Sequence, residues 1–152
     1  MTITQDTGVI TLPEIGASIA ATLSRSQFLQ VPVFSCSSVF VQSEPWCSYR
    51  LPAIPQKYTD LVIIVQFRGE ELFSLELCHG AACFGTSWEN WSEERELARK
   101  AFHERWLASE VGLRPGKYAW GEIASYYDET GRFSSIAVRY AKPGNGSGAQ
   151  VL

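Results

Sequence analysis

The sequence predicts an α+β fold: an antiparallel sheet of about five or six strands, one long helix packed on one face, and a short N-terminal helix. Three observations carry this expectation. Residues 58–68 and 71–78 alternate in polarity on either side of Gly69-Glu70, a hairpin signature. Residues 117–127 and 132–140 repeat that pattern around Asp128-Glu129-Thr130-Gly131. Between the two hairpins, residues 92–110 carry a helical period. Hairpins on both sides of one helix give an antiparallel sheet, since parallel winding needs more helices than the chain offers.

Taken in order, Val9, Ile10 and Leu12 before Pro13 read as a short strand at a sheet edge, because proline cannot donate to a ladder. Residues 15–21 are weakly patterned. Ser24 can cap a short helix through Leu29, with Gln27 as the reciprocal capping-box partner. Residues 33–55 contain Pro45, Pro52 and Pro55, which limit a strand at 47–51 to a short or peripheral one.

In 58–68, Leu61, Ile63, Val65 and Phe67 share one face, and Val62 and Ile64 share the other, which points to a central strand. Gly69 suits the positive φ of a type II′ turn. Phe73, Leu75 and Leu77 then face one way, and Ser74, Glu76 and Cys78 the other. Ser92 caps the long helix, Glu93 and Glu94 favour its N-terminus, and Gly112 ends it. Leu97, Ala98, Ala101, Phe102 and Trp106 form its apolar stripe. Glu96, Arg99, Lys100, His103 and Glu110 form its solvated side, with Glu96 and Lys100 as an i,i+4 pair. Ile136, Val138 and Tyr140 share a face of the last strand. The expected organisation is one domain, residues 1–141, with a flexible glycine-rich tail, 142–152.

The chain has 152 residues, 45% of them hydrophobic and 19% charged, enough for a filled core without metals or disulfides. Net charge is −3, from 13 basic and 16 acidic residues, so no basic field follows a phosphate backbone and nucleic acid is not an expected partner. The first eight residues lack the basic and apolar regions of a leader, and the longest apolar run, 61–65, is too short to span a bilayer. A cytoplasmic protein without membrane contact is therefore expected. Cys36, Cys47, Cys78 and Cys83 then read as reduced, buried thiols.

No catalytic residue stands out, and no metal or cofactor is expected. His103 falls on the polar side of the helix and reads as a solvated histidine. Cys78, His79 and Cys83, with Cys36 or Cys47, could supply soft ligands, but they lack C-x-x-C spacing. Cys78 and His79, adjacent on a strand, point to opposite faces and do not make a nucleophile–base pair. Glu93-Glu94 and Asp128-Glu129 stand at a helix start and a turn, where acids are favoured structurally. The glycines of the tail form no phosphate cradle.

The aromatic residues carry more. Among the five tryptophans, Trp88 and Trp91 flank the long helix's start, with Glu89, Glu93 and Glu94 beside them. Tyr126, Tyr127, Asp128 and Glu129 cluster at a hairpin tip. Either tryptophan can staple the helix to the sheet. The alternative is an aromatic–acidic anchor for a basic partner, because tryptophan and tyrosine dominate interface hot spots. Trp88, Glu89, Trp91, Glu93, Glu94, Tyr126, Asp128 and Glu129 are the candidate binding residues.

The run from Trp88 to Leu107, the later Trp120-Gly121-Glu122-Ile123 with Tyr127-Asp128, and the strand Ser134-Ser135-Ile136-Ala137-Val138-Arg139-Tyr140 resemble small bacterial immunity proteins of polymorphic-toxin and secretion-effector systems. The resemblance covers about residues 60–140 and is one of general style. It implies a binding module that neutralises a cognate toxin, as a monomer or homodimer, and carries over no individual residue. Two other expectations stand beside it: a small metal-dependent or hydrolytic enzyme using Cys78, His79, Cys83, His103 or the acidic pairs, and a structural or chaperone-like adaptor.

Overall fold

Leu61, Ile63, Val65 and Phe67 are all fully buried, and these alternating side chains fix one face of a central strand against the core. Each contributes about 1.5–3 kcal/mol of burial. The computed structural model describes residues 1–57, 59–81, 84–85 and 87–142. The expected tail from residue 143 onward, Tyr58 and Cys83 lie outside the described residues.

The strands are β1 (Thr2–Ile3), β2 (Ile10–Leu12), β3 (Ala17–Ile19), β4 (Ser38–Ser43), β5 (Trp46–Arg50), β6 (Ile54–Pro55), β7 (Asp60–Arg68), β8 (Glu71–Gly80), β9 (Gly116–Tyr118), β10 (Gly121–Asp128) and β11 (Phe133–Tyr140). β1, β2 and β3 form a three-stranded sheet. The rest form an eight-stranded sheet in the order β4-β5-β7-β8-β11-β10-β9, with β6 beside β7. Every pairing is antiparallel. The one long helix, α1 (Glu93–Trp106), runs on as a π-helical stretch, Leu107–Val111, and stops at Gly112, whose φ of 78° is left-handed. Its N-cap is Ser92, which accepts from the Arg95 N–H.

The fold expected from the sequence is corrected on three counts. The main sheet has eight strands, not five or six. A second sheet occupies the N-terminal segment, where residues 15–21 are only weakly patterned. The small N-terminal helix is absent as a layer of the fold. What Ser24 and Gln27 cap is Arg25–Gln30, under two helical turns, which bury only Phe28. Phe28 stacks on Phe34 at 4.8 Å and leans on Tyr49 and Phe67, so the segment plugs one end of the sheet.

Two local registers also differ. A bulge between Gln66 and Phe67 shifts the β7–β8 pairing, so Leu72 rather than Phe73 joins Leu75 and Leu77 inside. The extra residue of a bulge changes which side chains face the core. β5 is interior, lying between β4 and β7, because its flanking prolines fall outside the ladder.

One face of the large sheet carries the core. Tyr49, Cys47, Ile63, Val65, Leu75, Leu77, Ile136, Val138 and Ile123 point into it, and Ile3, Ile10, Leu12 and Ile19 of the small sheet close it with Trp106, Leu107 and Leu113. α1 lies on the same face over β8, β10 and β11. Among the described residues no helix is long and apolar enough to cross a membrane.

Candidate functional site

α1 is rolled part of a turn away from its apolar stripe, so that only the Phe102 and Trp106 end of the stripe faces the core. Glu96, Arg99, His103 and Trp106 are buried, whereas Leu97 is 49% exposed and Ala98 and Ala101 face outward. His103, expected in solvent, is fully buried. The expected Glu96–Lys100 pair does not form: Glu96 pairs with Arg99, and Lys100 with Glu104.

The reason lies in the sheet beneath. β8 and β11 are paired only from Leu77↔Ile136 to Ser74↔Arg139. Beyond Leu77 and Ile136 the strands part, and backbone groups there need partners from elsewhere. Helix side chains supply them. The Ser134 N–H donates to Glu96 Oε2 at 2.8 Å, and the His79 N–H donates to His103 Nε2 at 3.2 Å. Arg99 Nη2 donates to the Gly85 carbonyl at 2.8 Å, while its Nη1 donates to both Glu96 oxygens at 2.7 and 2.9 Å. Ser134 Oγ donates to the Glu96 carbonyl at 2.7 Å. A leucine face could not satisfy the fork, and leaving such groups bare costs about 1–3 kcal/mol each.

The two histidines meet at 5.2 Å between ring centroids, with Trp106 edge-on to His79 at 4.4 Å and Phe102 at 5.1 Å. Burial, aided by the Arg99 charge, pushes His79 down to about 4. Burial, then the His79, Arg99 and Lys100 charges, pushes His103 down to about 3. Both are therefore neutral at pH 7. His103 accepts at Nε2, so its proton sits on Nδ1, which has no hydrogen-bond partner among the described residues. Burial also raises the Cys78 thiol, which donates weakly to the Ser134 carbonyl. The two sealed, neutral rings pack the helix onto the sheet. Among the described residues no three His, Cys, Asp or Glu side chains converge as metal ligands. Cys36 is exposed rather than buried, and Cys47 is buried.

Near this network the candidate binding residues occupy the helix start and the β10–β11 tip. Ser87 and Asn90 lock the Trp88–Asn90 turn: Asn90 Oδ1 accepts from the Ser87 N–H at 3.0 Å. Trp88 projects from that turn, 77% exposed. Trp91 is half-buried instead; its Nε1 donates to the Arg132 carbonyl at 2.6 Å, and the Arg132 guanidinium lies 5.3 Å over its ring. That clamp joins the helix start to the β10–β11 tip. Asp128 Oδ1 caps the tip by accepting from the Thr130 N–H at 2.9 Å. Burial and then the Glu93 carboxylate raise the Tyr127 phenol.

The clamp therefore sets Trp91 against the β10–β11 tip, with Glu93 near Tyr127. Trp88, Glu89 and Glu94 stand exposed at the helix start, and Asp128, two residues on from Tyr126, shares that residue's strand phase. Tyr126 does not belong to the clamp. It lies on the opposite face of the sheet, where its hydroxyl donates to Glu76 at 3.0 Å. The network of Glu96, Arg99, His103, His79 and Ser134 was missed by sequence reasoning; the spacing 96-99-103-106, an i, i+3, i+7, i+10 face, was the available signal.

The far end of α1 borders a groove of about 1010 Å³, lined among others by Phe102, Arg105, Trp106, Ser109, Lys57 and Glu14. Its rim mixes both charges. Compared with protein-family models, with curated proteins and with solved structures, the chain matches none.

Proposed function

We propose that this chain is a protein-binding module of the immunity type, which neutralises a cognate bacterial toxin in the cytoplasm by direct binding. The observation that carries this reading is the surface around Trp88. A large indole, 77% exposed, stands on a locked turn, with the exposed acids Glu89, Glu93 and Glu94 just after it in the chain. An exposed tryptophan on a rigid support carries little ordering cost on binding, and the acids favour encounter with a basic surface. The Trp91–Arg132 clamp and the fork-filling helix supply the rigidity.

The test is calorimetric titration of the purified chain against the product of the neighbouring reading frame, paired with rescue of cells expressing that product. Tight binding and rescue are expected. Trp88→Ala should weaken binding by about 30-fold or more, the scale of a hot-spot truncation of roughly 2 kcal/mol. Failure of every neighbouring product to bind or to be neutralised would count against the reading. Binding unmoved by Trp88→Ala combined with Glu93→Lys would remove this surface from it.

A further inference from the structure

The large sheet has two edges of unequal character. β9 closes one with three residues, Gly116–Tyr118. β4 closes the other with six, Ser38–Ser43, and all six are exposed. No charge and no proline interrupts Ser-Val-Phe-Val-Gln-Ser. Val39 and Phe40 are each 56% exposed and Val41 is 45% exposed. Exposed edges normally carry lysine, proline or inward charge to stop strand addition. This one has only a bulge between Val39 and Val41.

We propose that β4 is the contact through which two copies of this chain associate, by antiparallel strand addition about a two-fold axis. The strand is nearly self-complementary. An axis between Phe40 and Val41 sets Ser38 opposite the partner's Ser43, Val39 opposite the partner's Gln42, and Phe40 opposite the partner's Val41. The bulge makes this register consistent. Val39 and Gln42 align with the core-facing Tyr49 and Cys47 of β5, and Ser38 and Ser43 align with Arg50 and Trp46 on the other face. Each proposed pair therefore joins side chains of one face, whereas a one-residue slip would not.

The bulge selects a second copy over an unrelated strand. Against unbulged β5, Phe40 is left without a partner in the register. A second copy brings the same bulge to the interface, so all six residues of each strand are matched. Both copies gain the backbone partners their edge strands lack, and the interface is isologous. This surface is distinct from the Trp88 face, at the other side of the sheet, and does not depend on the toxin-binding reading.

Sedimentation velocity on the full chain from about 1 to about 200 μM tests the proposal. A species of twice the 16.9 kDa chain mass is expected at the upper concentrations. Phe40→Lys, which sets two ammonium groups near the axis, should return it to the monomer, with the circular dichroism spectrum and melting temperature unchanged because the position is exposed. A wild-type chain that stays monomeric throughout overturns the proposal, as does a dimer that survives Phe40→Lys.

Discussion

Replacing Arg99 with methionine tests the rolled helix directly. Arg99 spends three hydrogen bonds inside the molecule, two on Glu96 and one on the Gly85 carbonyl. Its side chain is 9% exposed and that of Glu96 is 4% exposed. In Arg99→Met, the Glu96 carboxylate keeps the Ser134 N–H but stands as an uncompensated charge under a helix. Breaking one half of a buried pair costs about 3–5 kcal/mol. For a domain of this size that lowers Tm by roughly 10 °C or more. The double variant Glu96→Leu/Arg99→Met removes both charges and leaves the Ser134 N–H and the Gly85 carbonyl bare, at about 1–3 kcal/mol each. Its destabilisation should therefore fall short of the sum of the two single changes. Urea titration with two probes measures all three. Leu97→Lys, on the exposed side, should cost under about 0.5 kcal/mol. If instead Arg99→Met costs under about 1 kcal/mol and Leu97→Lys several, the apolar stripe faces the core and the fork account is wrong.

Two further outcomes follow from the same geometry. Both buried histidines have folded values far below their ordinary 6.5, to about 4 and about 3, so the unfolded chain binds more protons between those values and pH 6.5. Their stabilisation is complete above pH 6.5 and is lost as pH falls toward 4, by up to about 1.4 kcal/mol per pH unit for each histidine. His103→Gln, which keeps an acceptor for the His79 N–H, should halve that slope in melting experiments at pH 7, 6, 5 and 4; an unchanged slope would place the titrating groups elsewhere. Gly8, at φ 68°, sits where an added methyl would overlap the Trp120 ring. Trp120 also holds the N-terminal segment through its Nε1 bond to the Gln5 carbonyl at 2.8 Å. Gly8→Ala should lower Tm by several degrees, and Gly16→Ala, with the same backbone sign but open space around it, by less.

Much of the local structure was written in the sequence. The Gly69-Glu70 hairpin, the Ser92 cap, the Gly112 stop and the central position of residues 61–67 each depend on neighbours in the chain, and the structure has them where those residues imply. The Trp88 and Glu93 cluster was equally legible as residue types; that the β10–β11 tip would join it, and that Tyr126 would not, depended on strand phase. β4 was unreadable, because a fully exposed edge strand has no alternation to display.

By itself the sequence determined where turns, caps and the long helix fall, since steric and hydrogen-bonding rules for those act within a few residues. Only the tertiary structure decided which face of α1 is inside. Hydrophobicity favours Leu97, Ala98 and Ala101, but the parting of β8 from β11 leaves the His79 and Ser134 amides, and the loop after β8 the Gly85 carbonyl, and it is His103, Glu96 and Arg99 that meet them. An unmet backbone group buried in the core costs more than two exposed alanines and a half-exposed leucine forgo, and that need arises between segments some forty residues apart, at Ser134 and Glu96.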